Sequence, residues 1–285
     1  MPQLGLGTWQ IPTAQAGAAV REALDLGYAL IDTAAIYGNE RGVGEGVKTT
    51  GAWVTTKLWN DRQGDPAAAL DESLALLGAD AVDLYLIHWP SPANGMYIDA
   101  WKALIDLREA GKARSIGVSN FLPDHLDAII EATGVVPAVN QIELHPRFQQ
   151  RSARDYHQAR GIVTQSWSPI GQGKELLEAP AIRLIADKHG CSAARVVIAW
   201  HLAQGLGVIP KASGRTPCRQ FGRAGSGARS RRRRSDRCAG LARRTDGSGP
   251  GHVAVQLKHG RIEEHHPRGP QPSSRGHGAG PLALR

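Results

Sequence analysis

The sequence predicts an α/β fold of the (β/α)8 TIM-barrel class, with an incomplete or disordered C-terminal segment in place of the last helix. Three observations carry this expectation. Eight apolar runs of strand length recur over residues 1–212, and seven are followed by a helix-like pattern, which argues for parallel strands joined by right-handed crossovers. No G-x-G-x-x-G opens a helix after a strand, so the fingerprint of an open dinucleotide-binding sheet is missing. The length of 285 residues suits a closed barrel, which commonly runs to about 250 residues.

The elements follow in order. "LGLGTW" (4–9) reads as the first strand and leads into "AQAGAAVREALDLG". "ALIDTA" (29–34) is the second, before a short helical segment near Glu40–Lys48. "AWVTTKL" (52–58) precedes a helix whose Asp65 suits the N-cap and whose Pro66 suits the first turn. "VDLYLIHW" (82–89) and "ARSIGVSN" (113–120) are followed by helical patterns beginning near Tyr97 and Leu122. "PAVNQIEL" (137–144) precedes "RSARDYHQARG", and "IVTQSWSPI" (162–170) precedes "AARVVIAWHLAQ". "GVIPKA" (207–212) makes the eighth strand. The predicted organisation is therefore a barrel over 1–212 that lacks its eighth helix, then a distinct segment over 213–285.

Composition supports that border. Residues 1–212 hold 18 Lys and Arg against 22 Asp and Glu, a net of −4, whereas 213–285 hold 16 against 4, a net of +12. All seven tryptophans lie before the border. Hydrophobic content of 41% is enough for a sizeable core, and no apolar run reaches the roughly 20 residues of a membrane span. The start lacks a basic segment followed by an apolar one, so no signal peptide is expected. The three cysteines show neither metal-ligand spacing nor a disulfide framework. These readings point to a cytoplasmic, monomeric protein with no membrane partner.

In a barrel of this class the active site lies at the C-terminal ends of the strands. Those ends carry, in order, Thr8 and Trp9, Asp32, Lys57 and Trp59, His88 and Trp89, Ser119 and Asn120, Gln141 and Glu143, Trp167 and Ser168, and Lys211. Taken singly, each has an ordinary structural explanation, such as a helix-capping acid, a core histidine or a turn asparagine. Their convergence on one rim is what suggests chemistry.

The motifs "LGLGTW", "IDTAAIYGNE", "VTTKLW", "LYLIHWP", "SIGVSNF", "NQIELHP" and "VIPK" occur in that order. Together they resemble the aldo-keto reductase superfamily, nearest to its bacterial 2,5-diketo-gluconate-reductase-like branch, over about residues 1–212. The resemblance implies a barrel that binds NADPH without a Rossmann domain and reduces an aldehyde or ketone to an alcohol. By motif match, the catalytic group is Asp32, Tyr37, Lys57 and His88. Tyrosine is a poor acid near neutrality, with a reference pKa of about 10. An ammonium at Lys57 favours the phenolate and lowers that value, Asp32 compensates the buried ammonium, and a neutral His88 donates to the carbonyl oxygen. Ser119, Asn120 and Gln141 match residues that hold the nicotinamide carboxamide. Trp167 matches the ring that stacks on the nicotinamide, Ser168 begins the loop that crosses the pyrophosphate, and Lys211 matches the lysine near the 2′-phosphate. Trp9, Trp59 and Trp89 are expected to wall a substrate pocket, Trp89 equally as a packed rim residue. No metal is implied.

The chain departs from the family pattern after "VIPKAS". The expected arginine and Glu-Asn pair of the adenosine site give way to an Arg-, Gly-, Ser- and Pro-rich stretch that includes Arg231–Arg234. Such a composition buries too little apolar surface to offset ordering entropy. It reads either as a basic tail able to bind nucleic acid or an acidic partner, or as a segment translated in a shifted frame of a GC-rich gene. The break falls inside a motif rather than at a domain boundary, which favours the shifted frame. The small N-terminal hairpin usual in the family is also not seen before Met1. Two further functions stand beside reduction: a catalytically weak NADPH-binding barrel with a sensor role, and nucleic-acid binding through the basic tail. Translation of the gene segment for 213–285 in the other two frames is expected to recover a Glu-Asn pair and an acidic amphipathic helix. Failure in both frames removes the frame-shift reading.

Overall fold

Every inter-strand ladder in the structure is parallel, and the strands neighbour one another in chain order. The structure, a computed structural model, describes residues 1–173 and 175–211. Its sheet runs β1 (Gly5–Gly7), β2 (Leu30–Asp32), β3 (Trp53–Leu58), β4 (Val82–Ile87), β5 (Ala113–Ser119), β6 (Val139–Glu143), β7 (Val163–Trp167) and β8 (Gly207–Val208). Parallel bridges Leu4 to Val208 and Gly7 to Lys211 bring β8 back to β1 and close the ring. The result is the predicted (β/α)8 barrel. The proposed lack of an eighth helix and both readings of 213–285 lie outside the described residues.

Helices α1 (Thr13–Asp25), α2 (Glu40–Val47), α3 (Pro66–Leu77), α4 (Tyr97–Glu109), α5 (Pro123–Thr133) and α6 (Arg151–Ala159) each follow a strand. Two helices, α7 (Pro180–His189) and α8 (Ala193–Ala203), separate β7 from β8. Only the second of these was expected. The first opens at Pro180 and is capped by left-handed Gly190, yet it buries only Ala186 and leaves Leu184 71% exposed.

Alternation along the strands divides the core. One set of apolar side chains packs between strands and helices, including Ile31, Leu58, Tyr85, Ile87, Trp101 and Val118. A smaller set, Leu84, Leu86 and Val139 with partly buried Trp53, forms a separate cluster, as expected for the barrel interior, whose inward layers are packed rather than open. Helix α2 is glycine-rich because it lies close to both neighbours. A Cβ at Gly42 would meet the Thr13 carbonyl, and one at Gly44 the backbone of Leu77. The conformational cost of glycine in a helix is offset there by close approach.

The predicted cap of α3 is present, with the Asp65 carboxylate accepting from Ala68 N–H at 3.1 Å and Pro66 in the first turn. No helix among the described residues is long and apolar enough to cross a membrane, and no group of three or more His, Cys, Asp or Glu among them could hold a metal ion. Asp65→Ala is expected to lower stability by about 1 kcal/mol, the usual value of such a cap, read from the midpoint of urea unfolding.

Candidate active site

At the C-terminal end of the barrel lies a cavity of about 780 Å³. It is lined by Trp9, Asp32, Tyr37, Trp59, His88, Trp89, Ser119, Asn120, Gln141, Trp167, Ser168 and Lys211. Of the thirteen residues given a role in the sequence reading, all but Lys57 line it, whereas Thr8 and Glu143, also at the predicted strand ends, do not. Lys57 is fully buried beneath the floor.

Strand register builds that floor. Thr55, two residues before Lys57, stands opposite Asp32 in the β2–β3 ladder. Lys57 and Asp32 therefore share the inward face. The Lys57 ammonium donates to Asp32 Oδ1 at 2.5 Å and to the Thr33 carbonyl at 2.8 Å. Its Nζ is 5.3 Å from the centre of the Tyr37 ring. Burial alone favours the neutral amine, but the Asp32 carboxylate and the Tyr37 phenol outweigh it and hold the Lys57 pKa above its ordinary value. Burial pushes the Asp32 carboxyl up, against the opposing pull of Lys57 and Gln141. Two buried charges in contact titrate as one unit, and each compensates the other's loss of water.

Tyr37 closes a short 3₁₀ turn, Ala35–Tyr37, which ends at left-handed Gly38. Burial raises its pKa more than Lys57 lowers it. The expected pull from Lys57 is present, but the expected net lowering is not, because desolvation of the phenolate is the larger effect. The phenol therefore stays protonated near neutrality. His88 packs edge-on against Tyr37 and Trp59, with ring centres 5.8 and 5.0 Å away. Burial first, and the Lys57 charge second, bring its pKa down to about 3, so it is a neutral imidazole at any working pH. Its Nδ1 is buried with no hydrogen-bond partner.

The opposite wall is a chain of hydrogen bonds. Ser119 stands opposite Gln141, and Gln141 opposite Gln165. Gln141 Nε2 donates to Asp32 Oδ2 at 2.8 Å and to Gln165 Oε1 at 2.7 Å. Both of its amide protons are thereby used, which leaves Oε1 as its one remaining polar group. Ser119 Oγ donates to the Gln141 carbonyl at 2.8 Å. Asn120 Nδ2 donates to the His88 carbonyl and to Ser119 Oγ, each at 3.0 Å, and Asn120 Oδ1 accepts from Trp167 Nε1 at 2.9 Å. This last bond fixes the indole edge at the cavity wall.

The third side is apolar and open. Trp9 and Trp89 are 46% and 41% exposed. Lys211 donates to Gln10 Oε1 at 2.7 Å and sits 5.8 Å from the centre of the Trp9 ring. Among the described residues it is the one Lys or Arg on the lining. Four lining residues, Gln10, Asn120, Ser168 and Gln172, take the left-handed conformation without being glycine. Such strain concentrates at functional sites.

Sequence reading missed Gln10, Ile36 and Gln172 on the lining and Gln165 behind it. Gln165 had a usable signal. It is a polar residue two positions before Trp167 on a buried strand, so it faces the same way, and a buried polar group needs a partner.

The barrel thus brings a buried Lys–Asp pair, a phenol and a neutral histidine together at one candidate active site. The Aldo/keto reductase family profile matches residues 3–220, and the chain belongs to that family. Among its relatives is an aldo-keto reductase of Mycolicibacterium smegmatis, 51% identical over 218 residues, covering 74% of this chain and 79% of the relative. Methylglyoxal reductase DkgA of Escherichia coli is 49% identical over 217 residues, with the same coverage. The crystal structure of a Gox0644 variant in complex with NADPH superposes with a TM-score of 0.73 at 51% identity, covering 74% of this chain and 79% of that one.

Lys57→Met is expected to cost about 3–5 kcal/mol of stability by leaving Asp32 buried without its cation. The deficit should shrink as pH falls, because an unpaired buried carboxyl gains its proton more readily. Urea unfolding between neutral and acid pH, with the Asp32→Asn/Lys57→Met double variant as the restored control, measures both effects.

Proposed function

We propose that this protein reduces a small aldehyde or ketone to the alcohol, with NADPH as the hydride source and Tyr37 as the proton donor. The observation that carries this reading is the arrangement at the cavity floor, where a protonated phenol stands above a buried ammonium that is itself held by a carboxylate. When bound, the reduced nicotinamide would supply a hydride to the carbonyl carbon.

The chain's own residues do the rest. Tyr37 starts protonated and gives its proton to the carbonyl oxygen. The phenolate left behind is stabilised by the Lys57 ammonium, whose Coulomb effect lowers the Tyr37 pKa. Lys57 thus acts mainly on the product side of proton transfer, where the charge develops, and interactions of that kind are the ones that speed a step. Asp32 keeps Lys57 charged and in place. Neutral His88 lines the cavity beside Tyr37 and can share in orienting the carbonyl oxygen.

The opposite wall fits the cofactor's carboxamide. Gln141 has only Oε1 left, an acceptor suited to an amide N–H. Ser119 and Asn120 border the same wall, and the Trp167 ring, pinned by Asn120, offers a face for stacking. Ser168 belongs to the loop we assign to the pyrophosphate. We assign Lys211 to the 2′-phosphate. That role requires it to exchange Gln10 for the phosphate, a stronger, charge-assisted partner. Trp9, Trp59 and Trp89 form the substrate wall in this reading. The relatives named as methylglyoxal reductases support a short, uncharged dicarbonyl as the first substrate to try.

Consumption of NADPH, followed at the nicotinamide absorbance band with a short aldehyde, tests the activity. Tyr37→Phe is expected to lower turnover on the order of 10²–10⁴-fold, the usual contribution of a general acid, while leaving the NADPH dissociation constant nearly unchanged. Retention of more than about a tenth of wild-type turnover, well outside that range, removes Tyr37 from this role.

A further inference from the structure

The motif "IDTAAIYGNE" contains buried polar side chains that the reaction leaves unused, Asn39 among them. Asn39 is 0% exposed. Its Nδ2 donates to the Thr8 carbonyl at 2.9 Å and to the Ile11 carbonyl at 3.0 Å. Its Oδ1 accepts from Thr33 Oγ1 at 2.8 Å. Both amide protons are used and the oxygen is occupied, although a solvated asparagine would find the same partners in water at no ordering cost.

What it joins is specific. Thr8 and Ile11 bracket the two cavity residues Trp9 and Gln10, and the Ile11 N–H donates to the same Thr8 carbonyl at 3.0 Å, closing a tight turn. Gln10 at its corner is left-handed, with φ of 62°. Thr8 is also tied to the Asp32 carbonyl and Gln10 to Lys211, but the amide of Asn39 is what bridges the two ends of the turn around Trp9, which is nearly half exposed. Asn39 reaches it from the loop that also carries Ile36 and Tyr37, and Thr13 Oγ1 adds a second tie to the Gly38 carbonyl at 2.6 Å. On its other side, Asn39 holds Thr33, whose carbonyl accepts from Lys57. One side chain thus connects the Trp9 turn to the loop of the proposed acid and to the residue beside the buried ammonium.

We propose that Asn39 is a positioning residue for substrate specificity: it clamps the Thr8–Ile11 turn so that Trp9 stands at a set distance from Tyr37 and His88. The proposal rests on the reading of the cavity as a carbonyl-reducing site. Asn39 touches no reacting atom, and it acts through the position of Trp9. Short aldehydes, which end before the rim, are insensitive to it. Bulky aromatic aldehydes, which extend to Trp9, depend on it.

The test compares Asn39→Ser with the parent on a short aliphatic aldehyde and on an aromatic one. KM for the aromatic aldehyde is expected to rise roughly tenfold, the equivalent of one buried hydrogen bond. Turnover of the short aldehyde should stay within about twofold, since only uniform binding is lost. In a Trp9→Ala background the KM effect of Asn39→Ser should disappear, because coupled residues are not additive. Independently of activity, amide exchange of a peptide spanning residues 8–12 should quicken while that of β5, residues 113–119, does not. Unchanged exchange at 8–12 overturns the clamp. Quickened exchange with no difference between the two aldehydes overturns the specificity role. A parent with the expected exchange pattern but no carbonyl reduction removes the functional reading and leaves the clamp standing. If Asn39→Ser does not fold, Thr33→Val removes only the hydroxyl that Asn39 accepts from, and the same two readouts apply.

Discussion

A lysine and an aspartate, both almost wholly removed from water, meet at the floor of the cavity. Neither tolerates that position alone, since a lone buried charge costs several kcal/mol. The surrounding structure follows from keeping them together. Adjacent parallel strands put both on one inward face, Thr33 offers a carbonyl to the ammonium, and Gln141 crosses the barrel to the second carboxylate oxygen. The pair is a poor way to gain stability, because apolar residues would fill the space at lower cost. It makes sense as a fixed positive charge held under a phenol.

The same charge acts differently on its two neighbours. It pulls the Tyr37 pKa down against a larger upward push from burial. At His88 it adds to burial, and both press the imidazole toward its neutral form. Burial therefore keeps the phenol protonated while the ammonium stabilises its conjugate base, and the two together keep the imidazole from charging. This is the general pattern by which neighbouring groups in one site are driven to different protonation states.

Hydrogen bonding couples the sides of the cavity. Gln141 belongs to the Asp32 network through its nitrogen and presents its oxygen as the remaining acceptor. Asn120 links the backbone of His88 to the ring of Trp167. Asn39 links the Trp9 turn to the loop of Tyr37. The three regions proposed for the acid, the cofactor and the substrate are thus not independent patches, and a rigid barrel carries them at strand ends.

Much of this was legible in the chain. Alternating strand and helix patterns determined the barrel class, because period-2 and period-3.6 burial leave marks in any sequence. Strand ends with Asp32, Lys57, His88, Asn120 and Gln141 marked the rim, because the fold sends all such ends to one face. Helix α7 escaped, since its only fully buried side chain is an alanine. The net direction of the Tyr37 pKa was decided by tertiary structure alone, because desolvation depends on everything that excludes water around the ring and no motif records it. Register likewise decided that Gln141 would meet Gln165, and Asn39 the carbonyls of Thr8 and Ile11. A sequence fixes which groups seek partners. Which partners they find depends on distances of a few ångström between segments far apart in the chain, and those exist only once the barrel has closed.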